Sequence, residues 1–367
     1  MNKKNQGYMS LLNIYAGSVA RKRIQEEGFH AGLFGGFLGA SGGPKWFVLA
    51  GLDKIIFPEF LDANKTPIDI MGSSAGAFRA ACLAQDRPAE AIDRLATNYA
   101  NTVYSAKPDA KEITLKGYDL LHAMLGETGI CEALYSNKKN VHFFVQHCHG
   151  LVGSEKKLSQ ILGLSVAAAK NMMKRKSIAS QFSRAVFSAR PKKDLFIDPY
   201  DFPTDYYALD KENYVLALMA SGSIPIVLEG IKDIPNAKPG IYRDGGIIDY
   251  HFDLAFKQSE LVLYPHFYAT PTPGWFDKNV PGRQCHQSSY ENVVMLVPSQ
   301  EFIAKLPYSK IPDRKDFEEM EAQQRITYWL ETIKQSDRLA DAFLQHLQND
   351  DIMAKIKPID LHRKSRS

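Results

Sequence analysis

Ile68-Asp69-Ile70-Met71-Gly72-Ser73-Ser74-Ala75-Gly76-Ala77-Phe78-Arg79-Ala80-Ala81-Cys82 is the stretch that decides the fold. Its first four residues are a short apolar run with a strand's length. From Ala77 the residues favour a helix. Between them Gly72-Ser73-Ser74-Ala75-Gly76 fits G-x-S-x-G with Ser74 at its centre. Flanking glycines let the backbone turn sharply without side-chain clashes, which lifts the central serine out of a sheet. The helix start directs free N–H groups and a positive dipole at an incoming anion. Ser74 is therefore the candidate nucleophile. The bland alternative is a glycine-rich turn with an inert serine.

The same grammar stands just upstream. Residues 31–52 carry one charge, Lys45, and are long enough to cross a bilayer. Their glycines and Pro44 break such a helix. The segment reads instead as a buried strand over Leu33–Leu38, a tight loop over Gly39–Gly43, and a helix with Pro44 at its first position, running to about Ile56. Two strand–turn–helix units so close together are the pattern of an α/β sheet. Only one good strand precedes Ser74, so a standard α/β-hydrolase order is not expected.

Further strands are expected at 141–148, 261–264 and 293–297, and helices over 88–140 and 155–190. Tyr214–Ala220 is an apolar run leading into Ser221-Gly222-Ser223-Ile224-Pro225. From about Pro312 the apolar residues Ile326, Trp329, Leu330, Ile333, Leu339, Phe343 and Leu347 recur near the helical period. Trp329 and Phe343 read as core rather than as membrane anchors. The N-terminal LLNIYAGSVA run, followed by Arg21-Lys22-Arg23, is too polar for a signal peptide and reads as an amphipathic helix ending near Glu27-Gly28. The closing HRKSRS reads as a solvated basic tail.

Composition narrows the function. The chain has 367 residues and a formal charge of +4 at pH 7, too weak over this length to imply nucleic acid. Its four cysteines, Cys82, Cys131, Cys148 and Cys285, are dispersed and form no C-x-x-C, which points to reduced thiols in a cytoplasmic setting. Cys82 reads as a small core residue.

Two more loops carry chemistry. Ser41-Gly42-Gly43-Pro44-Lys45 ends at a helix start, and backbone N–H groups there build an oxyanion hole without side-chain interference. Pro44 has no N–H, so Gly42 and Gly43 are the donors, with the Ala75 N–H as a third. Neither phosphate-loop pattern fits these glycines. Tyr242-Arg243-Asp244-Gly245-Gly246 offers Asp244 as a base for Ser74, since a serine hydroxyl needs a neighbour to take its proton.

Taken in order, SGGPK (41–45), GSSAG (72–76), ASGSIP (220–225) and DGG (244–246) resemble the patatin-like phospholipases over about residues 31–265. The resemblance implies a three-layer α/β/α sandwich. It implies a catalytic domain over 29–310, a largely helical insertion over 88–190 within it, and a helical C-terminal segment over 311–367 packed on it. It implies a lipid acyl hydrolase of phospholipase A or lysophospholipase type, with a Ser74–Asp244 dyad and Lys45 as the basic residue closing the oxyanion loop. Such a dyad calls for no organic cofactor and no metal. The resemblance implies a lipid or lysophospholipid as the partner, and peripheral membrane contact is the accompanying expectation. Three features depart from the family pattern. Ser41 stands for the first glycine, outside the donor pair, and Pro44 sits just before Lys45. Trp46 follows the basic residue where a glycine is usual. Asp249-Tyr250-His251-Phe252 follows D-G-G.

Other constellations compete. His251 and His266 follow Asp244 and allow a Ser–Asp–His esterase. A non-catalytic lipid-binding or scaffold protein on the same fold is a further alternative. His142, His147, Cys148 and His149 form the one metal-like cluster, but on a strand His147 and His149 face away from His142 and Cys148. The basic stretch at 170–176, with Met172 and Met173, suits either anionic lipid headgroups or plain solvation.

Overall fold

The computed structural model describes residues 11–257, 260–349 and 351–361. Its strands are β1 (Leu12–Ala16), β2 (Phe34–Gly39), β3 (Ile68–Ser73), β4 (Lys139–Cys148), β5 (Phe182–Ser188), β6 (Phe196–Ile197), β7 (Thr204–Ala208), β8 (Ile231–Lys232), β9 (Ile241–Asp244), β10 (Ala255–Phe256), β11 (Leu261–Pro265), β12 (Val293–Pro298) and β13 (Ile356–Pro358). The principal sheet has 11 strands in the order β13-β1-β12-β11-β2-β3-β4-β5-β7, with β8 and β9 joined to β4 off this path. β12, β11, β2, β3 and β4 run parallel, and β1 and β5 flank them antiparallel. Helices flank this mixed sheet in an α/β/α sandwich. β11 and β12 are buried along their whole length, as continuous apolar strands inside such a sandwich must be.

Both early strand–turn–helix units are present, with β2 leading to a tight helical turn over Gly43–Leu49 and β3 leading to the helix Ala75–Leu83. Elsewhere the structure corrects two expectations and settles the apolar run at 214–220, to which the sequence alone assigned no element. The N-terminal segment is not one helix: β1 precedes the helix Ser18–Glu27. Leu12, Ile14 and Ala16 are buried in alternation against β12, a period of two that the nearby cations obscure. Within 155–190 the helix stops at Met173, and β5 follows, paired along β4. The polar Arg184 inside β5 hides the strand. Its guanidinium is buried against Asp249, with Nε–Oδ2 at 2.7 Å and Nη2–Oδ1 at 2.8 Å. The apolar run at 214–220 is a helix, Tyr214–Gly222.

In chain order the helices of 88–135 precede β4 and the helix Lys157–Met173 follows it, so the largely helical stretch contains a strand at the heart of the sheet. The C-terminal helix Ala322–Asn349 packs on the helix Ala50–Ile55, and the Gly51 N–H donates to Ser336 Oγ at 2.8 Å. Trp329 and Phe343 are fully buried in the core, and Trp329 Nε1 donates to Asp316 at 2.9 Å. The basic tail over 362–367 lies outside the described residues.

Candidate active site

Ser74 sits between β3 and the Ala75–Leu83 helix with φ 55° and ψ −126°. A serine at positive φ is sterically costly and persists only where its surroundings fix it. Here the Ser74 N–H donates to Ser221 Oγ at 2.9 Å, and the Ser221 hydroxyl donates to the Phe144 carbonyl at 2.7 Å. The first serine of the ASGSIP motif therefore pins the turn to β4.

β4 also delivers the aspartate. β5 occupies one edge of β4, so β3 and β9 share the other. β3 ends with Ser73 opposite Phe144, and β9 descends to end with Asp244 opposite Val145. Two strands meeting end to end on consecutive residues of a third bring their termini together. Ser74 Oγ donates to Asp244 Oδ2 at 2.7 Å, across 170 residues of chain. The Gly246 N–H donates to Asp244 Oδ1 at 2.7 Å, and the Asp244 N–H donates to the Ser223 carbonyl at 3.1 Å. Burial pushes the Asp244 carboxyl up to about 6, against the opposing pull of the Ser74 and Gly246 hydrogen bonds and of the Arg314 and Lys278 charges.

The loop after β2 lies alongside. The Ser41 N–H donates to the Tyr250 carbonyl at 3.0 Å. Ser41 Oγ donates to the Ser73 carbonyl at 3.1 Å and lies 2.9 Å from Ser73 Oγ. Ser41 is thus not a bystander outside the donor pair: it ties the glycine loop to the end of β3. Among the described residues the Gly42, Gly43 and Ala75 amides donate to no protein acceptor. Gly43 has φ 56°, in the left-handed region that favours glycine. Lys45 is ion-paired with Asp313 from the segment ahead of the C-terminal helix. Burial and the neighbouring Arg314 charge lower its ammonium to about 8. Trp46, the departure after Lys45, is buried and packs on Phe47.

Three neighbours of the site, Tyr99, Arg314 and Lys278, left no mark in the sequence, and a fourth, Tyr250, showed only as part of the departure after D-G-G. Tyr99 places its hydroxyl 3.5 Å from where a Gly43 Cβ would stand. Arg314 and Lys278 supply the positive field felt by Asp244, and the Lys278 ammonium stands 3.8 Å over the Tyr250 ring. Tyr250 holds the loop through its carbonyl. Tyr99, Arg314 and Lys278 come from segments with no spacing that links them to Ser74, while Tyr250 lies six residues beyond Asp244.

The histidines have other partners. His251 Nδ1 accepts from the Thr272 N–H at 2.8 Å, and its ring packs edge-on to His266 with centroids 4.3 Å apart. Burial holds both imidazoles well below the usual range, His266 to about 3. His142 is buried with Asp69 at 3.0 Å and Ser188 at 2.7 Å. His147 and His149 lie together on the opposite face, with ring centroids 4.7 Å apart, against Pro239 and Ser183. Cys82 is buried with its thiol pushed up by desolvation.

A serine on a strand–helix elbow, facing a buried aspartate on an α/β/α sandwich, defines the class. Residues 48–251 match the family model described as patatin-like phospholipase, and the chain belongs to that family. Among solved structures, human GIVD cytosolic phospholipase A2 is similar over 97% of this chain and 64% of its own, at 11% identity and a TM-score of 0.39. This chain therefore spans less than two thirds of that protein. No curated protein sequence matches it. No helix among the described residues is long and apolar enough to cross a membrane.

Proposed function

We propose that the protein is a lipid acyl hydrolase of phospholipase A or lysophospholipase type, acting through Ser74 and Asp244. The observation that carries this reading is the 2.7 Å hydrogen bond from Ser74 Oγ to Asp244 Oδ2. Ser74 Oγ attacks the ester carbonyl while its proton passes to Asp244. A carboxyl near 6 is ionised at neutral pH yet basic enough to take that proton. The Gly42, Gly43 and Ala75 amides stabilise the oxyanion. Collapse of the tetrahedral intermediate expels the alcohol, which leaves with the proton held by Asp244. Water then attacks the acyl-serine, Asp244 takes its proton, and the fatty acid departs as Ser74 recovers its hydrogen. In this reading 29–310 is the catalytic unit, and the C-terminal segment closes it by carrying Asp313 to Lys45.

The test pairs a fluorophosphonate probe with a headgroup-resolved phospholipid and lysophospholipid panel. Wild-type protein is expected to be labelled and to release fatty acid, and Ser74→Ala is expected to do neither. Labelling that survives Ser74→Ala would remove Ser74 as nucleophile. Labelling without turnover on any lipid would leave an activated serine with a different ester as substrate.

A further inference from the structure

The helix Lys157–Met173 turns a row of large apolar side chains to solvent. Leu158 is 83% exposed, Leu162 56%, Met172 65% and Met173 85%, with Ile161 and Val166 at 40% each. The positions 158, 161, 162 and 166 follow the helical spacing of one face. The opposite face, including Gln160, Gly163, Leu164 and Ala167, is the one packed on the protein. A contiguous apolar patch of this kind marks an interaction surface.

Its charge is one-signed. Between Lys156 and Lys176 there is no Asp or Glu, and the cations are Lys156, Lys157, Lys170, Lys174, Arg175 and Lys176. Arg175 is buried on Asp277, and Lys176 is paired with Asp201. Lys156, Lys157 and Lys174 are exposed and form no ion pair among the described residues. Flexible lysine stems at both ends of an apolar row let the ammonium groups stay at headgroup level while the row enters the acyl region.

The helix also belongs to the end of the sheet that bears Ser74. β4 runs parallel to β3 and continues four residues beyond Phe144, the partner of Ser73, before turning into this helix. Gln160 Oε1 accepts from the Ile226 N–H at 2.6 Å, holding the segment just after ASGSIP. Glu155, just ahead of the helix, pairs with Arg243, the neighbour of Asp244, at 2.6 Å.

We propose that this helix is the membrane-docking surface of the protein, lying flat on a bilayer that contains anionic lipid. The inference rests on the lipid-hydrolase reading for its purpose. Its test does not, because binding is measured without turnover in full-length Ser74→Ala protein. The probes are phosphatidylcholine vesicles with and without phosphatidylserine, read by co-sedimentation. The protein is expected to partition to the mixed vesicles, with added salt weakening it. The exposed-site variant Leu158→Gln/Leu162→Gln/Met173→Gln should bind the mixed vesicles roughly tenfold less, or weaker still. Lys156→Gln/Lys157→Gln/Lys174→Gln should erase the preference for phosphatidylserine. Both variants should hydrolyse a soluble short-chain ester as the parent active protein does, if the Ser74 reading stands. Parent protein that ignores both vesicles, or an apolar variant that binds like its parent, overturns the proposal. Light scattering that shows a dimer dissolved by the apolar variant, without vesicle binding, assigns the face to a second copy and overturns it too.

Discussion

Gly76 lies so close to Gly39 that a Cβ on Gly76 would stand 1.8 Å from the Gly39 carbonyl oxygen. The first turn of the helix after Ser74 therefore rests directly on the end of β2, the strand that leads into the Gly42–Gly43 loop. This contact sets the distance between the serine and the Gly42 and Gly43 amides. Gly76→Ala must push helix and strand apart, at a cost of about 3 kcal/mol or more. Denaturant unfolding should show the loss, together with falling yield of soluble protein. An unchanged midpoint would mean that the two elements are free to separate.

Gly43→Ala should behave differently. Nothing nearer than the Tyr99 hydroxyl, at 3.5 Å, meets the added methyl. An alanine at φ 56° costs about 1–2 kcal/mol, which a chain this size survives. Relaxation of that φ should turn the amide away from the proposed oxyanion position. The kcat should fall on the order of a hundredfold with little change in KM. A folded Gly43→Ala enzyme with wild-type kcat would take this loop out of the reaction.

Ser41→Gly, harmless if Ser41 were only a missing glycine, should instead loosen the site. It deletes the hydroxyl that bonds the Ser73 carbonyl and leaves that buried end of β3 short of a partner. We expect a loss of about 1–2 kcal/mol in stability. Ser41→Thr, which keeps the hydroxyl, should lose less if its methyl is accommodated.

Asp244→Asn should abolish turnover and raise the melting temperature together. The folded-state carboxyl titrates near 6 against an ordinary value of 3.8. Between those values the folded protein binds the proton more tightly than the unfolded chain, so stability falls as pH rises through that window. At neutral pH the ionised, buried carboxylate costs about 3 kcal/mol, and the neutral amide recovers part of it. Thermal unfolding at pH 7 and at pH 4 separates the cases, because the advantage of the variant should shrink at pH 4. His251→Ala and His266→Ala should lower stability through lost packing and change kcat per folded enzyme by well under tenfold.

The rate should also fall below a pH near 6 as Asp244 takes up a proton and ceases to act as base. Arg314 is the larger of the two charges that hold the Asp244 carboxyl down, ahead of Lys278. Arg314→Gln should therefore move the acid limb of kcat/KM to higher pH, and Lys278→Gln should move it less. A limb that stays in place in both variants would show that Asp244 does not set it.

The strand–turn–helix at Ser74 was legible because its cause is local. An apolar run, two glycines and a helix former act within a few residues of one another, and so do the glycine loop before Pro44 and the turn at Asp244. What decides a pairing acts between segments. β1 was hidden because its alternation is short and its partner lies almost three hundred residues away at β12, with Leu12 opposite Pro298. β5 was hidden because Arg184 breaks its apolar run, and only the fold supplies the buried Asp249 that accepts it. The order of the motifs named Ser74 and Asp244, but their meeting depends on β4, which pairs Ser73 and Asp244 with its neighbouring residues Phe144 and Val145. The field around that aspartate, from Arg314 and Lys278, has the same origin. Sequence fixes which groups exist and how the backbone bends locally. Burial and long-range pairing decide which of them stand within a hydrogen bond of one another, and thus which can act.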